Sequence, residues 1–145
     1  MSIKSIVSGR EPYFVSSVDT VRHVAQYMSD RRIGAVVVLE GQRVAGIVSE
    51  RDIMSKVVAK GLDPAGTKVS AVMSRELLVA SPEDSYEDAA RKMRQAGIRH
   101  LPVVEGDRLL GMVSQRDLLQ VDLSAKDEEI RWLNAYIHFI PPGTS

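Results

Sequence analysis

The stretch GIVSERD at Gly46–Asp52 occurs a second time, slightly changed, as GMVSQRD at Gly111–Asp117. Five of the seven positions are identical, and in both copies a serine precedes an aspartate by three residues. Working outward from this pair, a shift of 65 residues aligns 14–54 with 79–119 without a gap, and 14 of the 41 aligned pairs are identical. Two copies of this length indicate a duplicated unit with pseudo-twofold symmetry rather than a solenoid.

Each copy predicts the same order of elements, β-α-β-β-α. A short apolar strand (13–15 and 77–80) precedes an amphipathic helix, which Asp19 or Thr20 can cap in the first copy and which SPEDS at 81–85 begins and Gly97 ends in the second. Two strands joined by a glycine-containing turn follow, at 35–39 and 43–48 and again at 101–104 and 108–113. A last helix follows each heptad, at 50–60 in the first copy, where Gly61 closes it. Because the paired strands are apolar throughout, both faces of each sheet should be covered.

The heptad lies where a strand ends and a helix begins. Ser49 is placed to cap the helix, and Asp52 falls at the third helical position, where a carboxylate also accepts free N–H groups; Ser114 and Asp117 repeat this. Capping, worth about 1 kcal/mol per residue, accounts for the serine and the aspartate. It does not account for the glycine and the arginine that both copies keep, and such junctions commonly bind anions and nucleotides. Helix cap and ligand site both stand as interpretations.

The repeated unit, with its heptad at the last strand–helix junction, resembles the cystathionine-β-synthase (CBS) domain, and a tandem pair resembles a Bateman module. IRHLPVVEGDRLLG at 98–111 is similar to the family's central strand pair, and SAVMS at 70–74 to the lead-in before a repeat. The resemblance implies an α/β (α+β) fold with two repeats packed about a pseudo-twofold axis, plus a C-terminal helix. The expected division is repeat 1 with its lead-in at 1–68, repeat 2 at 69–124, and the helix and tail at 125–145.

The resemblance also implies a function, that of a stand-alone, non-catalytic signal-transduction protein. Such modules bind adenine-containing ligands (AMP, ADP, ATP, NAD or S-adenosylmethionine): the heptad aspartate holds the ribose hydroxyls, the serine contacts ribose or phosphate, and apolar groups sandwich the adenine. The residues so implied are Asp52, Ser49, Ile33, Ala35 and Ile47 in repeat 1, and Asp117, Ser114, Arg116, Ile98, Arg99, His100, Leu101, Pro102 and Met112 in repeat 2. The alternative is a scaffold or regulatory subunit with vestigial clefts.

The two repeats differ where the central strand begins. Basic residues there often reach phosphate in the family, and repeat 2 has Arg99 and His100 where repeat 1 has Gly34 and Ala35. We therefore expect repeat 2 to hold phosphate better, and the occupancy of the repeat 1 cleft is open. His100 is equally explained as a half-buried polar residue at a strand start, and Arg116 as a solvent-facing or ion-paired one.

Other kinds of chemistry find little support. His23, His100 and His138 have no metal-ligand spacing, so we expect no metal site. The heptad lacks the G-x-S-x-G pattern of a hydrolase nucleophile, so we expect neither catalysis nor a catalytic cofactor. Lys and Arg together number 19, as do Asp and Glu, which argues against a general nucleic-acid binder. The absence of cysteine, of a signal peptide and of a long apolar run predicts a cytoplasmic protein away from membranes.

The tail beyond the repeat contains KDEEIRWLNAYIHF at 126–139, which predicts a helix with two apolar stripes, and PPG at 141–143 should stop it. One stripe is Ile130, Leu133 and Ile137, and the other is Trp132, Tyr136 and Phe139. Such a helix either folds back onto its own domain or meets a second subunit or a protein partner. We expect a homodimer, because the family associates through helical faces.

Overall fold

The computed structural model describes residues 2–138, and its elements follow the predicted order except that repeat 2 has no first strand. Repeat 1 contains strand β1 (Phe14–Ser16), helix α2 (Val21–Arg31), strands β2 (Ala35–Glu40) and β3 (Arg43–Ser49) and helix α3 (Glu50–Ile53), which continues as a π-helical turn at Met54–Val58; a short helix α1 (Ile3–Val7) precedes it. Repeat 2 contains a 3₁₀ turn (Val69–Ala71), helix α4 (Tyr86–Ala96), strands β4 (His100–Glu105) and β5 (Arg108–Ser114), and helix α5 (Gln115–His138). The predicted fold class, two α/β repeats with a C-terminal helix, is confirmed.

The first helix of each repeat begins at a side-chain cap. In repeat 1 the cap is Thr20, whose hydroxyl accepts the N–H of His23 at 3.1 Å, while Asp19 instead accepts the N–H of Ser16. In repeat 2 the cap is Ser85, and Gly97 ends the helix with a left-handed φ of 65°. A side chain is rarely accommodated at that φ, which is why glycine stands there.

The strands form one sheet in each repeat. In repeat 1, β1 pairs in parallel with β2, and β2 pairs antiparallel with β3. Repeat 2 has only the β4–β5 hairpin, so the predicted strand at 77–80 is wrong. Only Ala80 bridges to Val103, through its N–H to the carbonyl of Pro102 and its carbonyl to the N–H of Val104. The carbonyl of Val79 accepts a hydrogen bond from the Lys92 ammonium at 3.1 Å.

The central strands are covered on both faces, as predicted, whereas their partners are not. All four residues from Ala35 to Val38 are at most 5% exposed. In β3 and β5 buried residues alternate with half-buried ones beyond the turn. The two outer strands of the hairpins therefore leave one face accessible near the heptads.

Each repeat has its own hydrophobic core, and each core contains the lead-in of the other repeat. Val69, Val72 and Met73, in the lead-in at the start of repeat 2, are buried in the core of repeat 1. Ile3 and Val7, which precede repeat 1, are buried in the core of repeat 2. The lead-ins therefore cross between the repeats and join them into one body. The packing does not follow the predicted domain boundary at residue 69, and that boundary stays a prediction.

The last helix of repeat 2 runs without a break into the predicted tail helix, ending at His138. Three apolar side chains of the predicted tail helix are exposed: Ile130, Trp132 and Leu133 are 54%, 77% and 53% exposed. The alternative that the tail folds onto its own domain is therefore wrong for these three residues. The side chains of Tyr136 and Ile137 lie outside the described part of the chain. Phe139 and the PPG stop lie outside the described residues.

Candidate functional site

Both heptads form the predicted helix caps. The Ser49 hydroxyl accepts the N–H of Asp52 at 3.1 Å, and Oδ2 of Asp52 accepts the N–H of Ser49 at 2.9 Å. Ser114 and Asp117 make the same pair of bonds at 3.1 and 2.8 Å. This reciprocal capping box holds each carboxylate in one position at the strand–helix junction.

The heptad glycines are explained by the lead-ins that cross them. A Cβ on Gly46 would lie 2.6 Å from Sδ of Met73 and 2.7 Å from the carbonyl oxygen of Ser74. A Cβ on Gly111 would lie 3.2 Å from Cβ of Val7. The sequence indicated that something approaches these glycines closely, and the approaching group is the other repeat's lead-in.

The strand register sorts the predicted ligand residues into two faces. In repeat 2, His100 lies opposite Ser114 and Pro102 opposite Met112, so these four share one face of the hairpin. Leu101 falls on the other face and is fully buried in the core, so the structure does not bring it to the others. In repeat 1, Ala35 and Ser49 are paired in the same way, and Ile47 lies on their face.

Four further predicted residues lie outside the hairpin strands and away from this face. Ile33 and Ile98 pack against the cores of their own repeats. Arg99 is exposed and lines a groove of about 680 Å³ between α4 and α5, together with Ile98. Arg99 and His100 are adjacent in sequence, but Arg99 lines the groove between α4 and α5 and His100 lies on the hairpin face. Arg116 is exposed at the start of α5.

His100 is half-buried beside residues of repeat 1. Burial lowers the pKa of its imidazole, helped by the charge of Arg99, although Glu50 and Asp117 act in the opposite direction. Cε1 of the ring lies 3.6 Å from the position that a Cβ on Gly34 would take. The predicted face of repeat 2 is therefore turned toward repeat 1 at His100.

Asp117 carries a second partner that the sequence interpretation missed. The Arg10 guanidinium donates to both carboxylate oxygens, each at 3.0 Å. Burial acts to raise the pKa of Asp117, but the hydrogen bonds from Arg10 and Ser114 outweigh burial, so this pKa is lowered. The pKa of Arg10 is raised, chiefly by the same hydrogen bond. Both shifts favour the charged pair.

Asp52 has a different partner in repeat 1. The Lys56 ammonium lies 3.2 Å from Oδ1 of Asp52, one helical turn away, and also donates to the carbonyl of Val72. Extending the 65-residue repeat upstream aligns Arg10 with Arg75, which was the signal available in the sequence. Arg75 is exposed and forms no ion pair within residues 2–138, so the alignment alone would not have given the right contact.

The heptad carboxylates do not line either of two open grooves on the surface. One groove, of about 550 Å³, lies between the two hairpin turns, and the other is the α4–α5 groove; neither is lined by Asp52 or Asp117. Across the described part of the chain there is no group of three or more metal-ligating side chains. None of the described helices is long and apolar enough to cross a membrane.

Comparisons with known proteins agree with this architecture. The CBS domain family model matches residues 3–59 and 69–124. The CBS domain-containing protein CBSX3, mitochondrial, of Arabidopsis thaliana is 36% identical over 124 residues, which are 82% of this chain and 60% of the relative's length. A solved Burkholderia ambifaria structure, described as that of a signal-transduction protein with CBS domains, matches with a TM-score of 0.81 and 32% identity, over 86% of this chain and 95% of that one.

One solved structure with the same fold contains bound ligands. The CBS domain pair of protein MJ0100, solved with 5′-methylthioadenosine and S-adenosyl-L-methionine, matches with a TM-score of 0.77 at 22% identity, over 86% of this chain and 98% of that one. At that identity the likeness concerns the fold alone. With the family model matching both repeats, this chain belongs to the CBS domain family.

Proposed function

We propose that this CBS pair is a non-catalytic cytoplasmic regulatory module that binds an adenine nucleotide, AMP, ADP, ATP or NAD, and reports energy or redox state by a conformational change. One observation carries the proposal: Asp52 and Asp117 are each fixed by a capping serine at the edge of the hairpin face. The MJ0100 complex, which contains two adenosine-based ligands, is a precedent for the fold.

The proposed contacts follow from the chemistry of a carboxylate. Two neighbouring ribose hydroxyls donate hydrogen bonds to the two oxygens of Asp117. Acidic residues accept ribose hydroxyls in this way at other nucleotide sites. The half-buried Met112 lies on the same hairpin face as Ser114, opposite the buried Pro102, and offers apolar surface for an adenine ring. The capping box holds the carboxylate in position before the ribose arrives, which lowers the cost of ordering this side chain on binding.

Signal transmission is proposed to go through α5. This helix begins at Gln115, inside the heptad, and continues for 24 residues to His138. A ligand held by Ser114 and Asp117 therefore acts on the first turn of a helix that is exposed over residues 123–135. It would shift the population of helix arrangements only in proportion to its different affinity for them.

The test is a thermal-shift and calorimetry panel of AMP, ADP, ATP, NAD and S-adenosylmethionine on the wild type, Asp52→Ala and Asp117→Ala. A ligand at about 100 times its Kd should stabilise the protein by about 2.7 kcal/mol. Asp88→Ala is the matched control, because Asp88 completes the same capping box with Ser85 but lies outside the heptads. Binding that is lost in Asp117→Ala and kept in Asp88→Ala supports the proposal. No stabilisation by any of the five ligands would sink it.

A second candidate, a scaffold or regulatory subunit acting through protein contacts, is favoured by exposed apolar side chains at equivalent positions. Met54 and Leu119 are 60% and 57% exposed, and Val58 and Leu123 are 66% and 56% exposed. We propose that these helical faces join two copies in a homodimer, and that Trp132 contacts a protein partner. Light scattering on Met54→Gln/Leu119→Gln tests the dimer. The scaffold hypothesis requires that the homodimer and the contact with the protein partner persist in Asp52→Ala/Asp117→Ala. It also requires that adenine ligands do not change either association.

A further inference from the structure

Arg10, which precedes the first strand of repeat 1, forms an ion pair with Asp117, the heptad aspartate of repeat 2. They are separated by 107 positions in the chain, and the guanidinium reaches both oxygens of the carboxylate. The side chain of Arg10 is 45% exposed and that of Asp117 is 22% exposed. Because a guanidinium fork and a ribose diol both present two donors to a carboxylate, they compete for the same two oxygens.

The backbone of Arg10 is anchored while its side chain is free to turn away. The Arg10 N–H donates to the carbonyl of Val7 at 3.1 Å, and Val7 is buried in the core of repeat 2 against Gly111. Between them, Gly9 takes a left-handed φ of 79°, a turn for which glycine is suited. The guanidinium therefore stays beside the cleft even when it leaves Asp117.

The charge of the ligand determines how much free energy is lost when the Arg10 guanidinium leaves Asp117 and a ribose takes its place. A neutral nucleoside that takes Asp117 leaves the guanidinium without an anionic partner. A nucleotide brings a 5′-phosphate on the same sugar, and arginine binds phosphate through the same bidentate fork. The exchange then replaces one ion pair by another.

We propose that Arg10 determines ligand class in the repeat 2 cleft: it exchanges Asp117 for the phosphate of the incoming ligand, so the cleft favours phosphorylated adenosines over neutral ones. The inference rests on the proposed function. It assigns AMP, ADP or ATP to this cleft in preference to adenosine or 5′-methylthioadenosine.

Repeat 1 lacks this device and supplies the control. Its equivalent arginine, Arg75, is exposed and makes no ion pair to Asp52 among the described residues. Asp52 is instead paired with Lys56, on its own helix and through one oxygen only. Substitution of Arg75 should therefore leave the ligand preference of the repeat 2 cleft unchanged.

Calorimetric titration with AMP and with adenosine tests the inference on the full chain in the Asp52→Asn background, which isolates repeat 2. Arg10→Gln should raise the affinity for adenosine by about fivefold, the size expected for one partly exposed ion pair, and should lower the ratio of AMP to adenosine affinity. Arg75→Gln should leave that ratio unchanged. Arg10→Lys, which keeps the charge but loses the fork, should fall between the wild type and Arg10→Gln.

The outcomes separate this inference from the function on which it rests. Binding of AMP and adenosine with a ratio that Arg10→Gln does not change overturns the role of Arg10 and leaves nucleotide sensing intact. Absence of binding by both ligands in every variant, Arg10→Gln included, overturns both. Unfolding curves without ligand check that each variant is folded before titration.

Discussion

The imidazole of His100, in repeat 2, packs over Gly34 of repeat 1, with Cε1 and Nε2 at 3.6 and 3.7 Å from where a Cβ on Gly34 would stand. These are ordinary van der Waals distances, so an alanine would fit. Of the two positions where the repeats differ here, the glycine of repeat 1 therefore lies against the imidazole of repeat 2. Because this imidazole is half-buried between the two repeats, its protonation should affect the free energy of unfolding.

His100 should make the stability of the protein depend on pH just below neutrality. Its folded pKa is lowered, first by burial, so the unfolded chain binds the proton more readily. The stability associated with the neutral ring is present above about pH 6.5, the ordinary value for histidine, and is lost as the pH falls through the folded pKa. His100→Gln should flatten this slope in urea unfolding followed between about pH 5 and 7.5. His23→Gln, at an exposed position, should keep the slope of the wild type; equal slopes in all three proteins would contradict the assignment.

Gly46→Ala should destabilise the protein more than Gly111→Ala. The new Cβ on Gly46 meets Met73 and the Ser74 carbonyl, which cannot retreat because it accepts the N–H of Ile47 at 3.0 Å. Overpacking of this kind costs about 1–3 kcal/mol. The Cβ on Gly111 meets only the Val7 side chain at 3.2 and 3.3 Å, which calls for a smaller adjustment. Urea midpoints of the two variants give the comparison, and the reverse order would show that the lead-ins approach the hairpins differently.

Local features were predictable from the sequence because they depend on neighbours in the chain. The capping boxes follow from a serine and an aspartate three residues apart, and the hairpins follow from two apolar runs around a glycine turn. The repeat itself fixed the pseudo-symmetry. The ends of elements were harder to predict: the segment at 77–80 is as apolar as a strand, yet only Ala80 pairs with the sheet of repeat 2.

Long-range contacts were not predictable from one sequence. Arg10 reaches Asp117 because α1 crosses to repeat 2, and the crossing depends on the fit of Ile3 and Val7 in a core assembled from residues far along the chain. The same holds for Leu101, which the family resemblance placed with His100. Adjacent strand residues point to opposite faces, and the structure shows that the face of Leu101 is the one packed in the core.

Ser49→Ala and Ser85→Ala should separate capping from binding. Both remove the acceptor of a capping box with nearly the same geometry, so each should cost about 1 kcal/mol in unfolding free energy. Only Ser49 belongs to a heptad, so only Ser49→Ala should weaken the stabilisation by an adenine nucleotide in the repeat 1 cleft. If both variants reduced the ligand shift equally, the effect would come from general destabilisation and the heptad serine would have no contact with ligand.

Val7→Ala and Val72→Ala should weaken opposite halves of the molecule. The two valines occupy equivalent positions before their repeats and are 5% and 4% exposed, but Val7 packs in the core of repeat 2 and Val72 in the core of repeat 1. Removing two buried methyl groups should cost about 2 kcal/mol in either case, from lost burial and the cavity left behind.

Native-state hydrogen exchange shows where each loss falls, because local opening reports the stability of each unit. Val7→Ala should speed exchange in α4 and β4, and Val72→Ala in α2 and β2, although each valine stands nearer in sequence to the other set. Faster exchange in α2 and β2 of Val7→Ala would mean that the first lead-in packs on its own repeat. In that case Arg10 would not lie beside Asp117, because the anchor that holds it there is Val7.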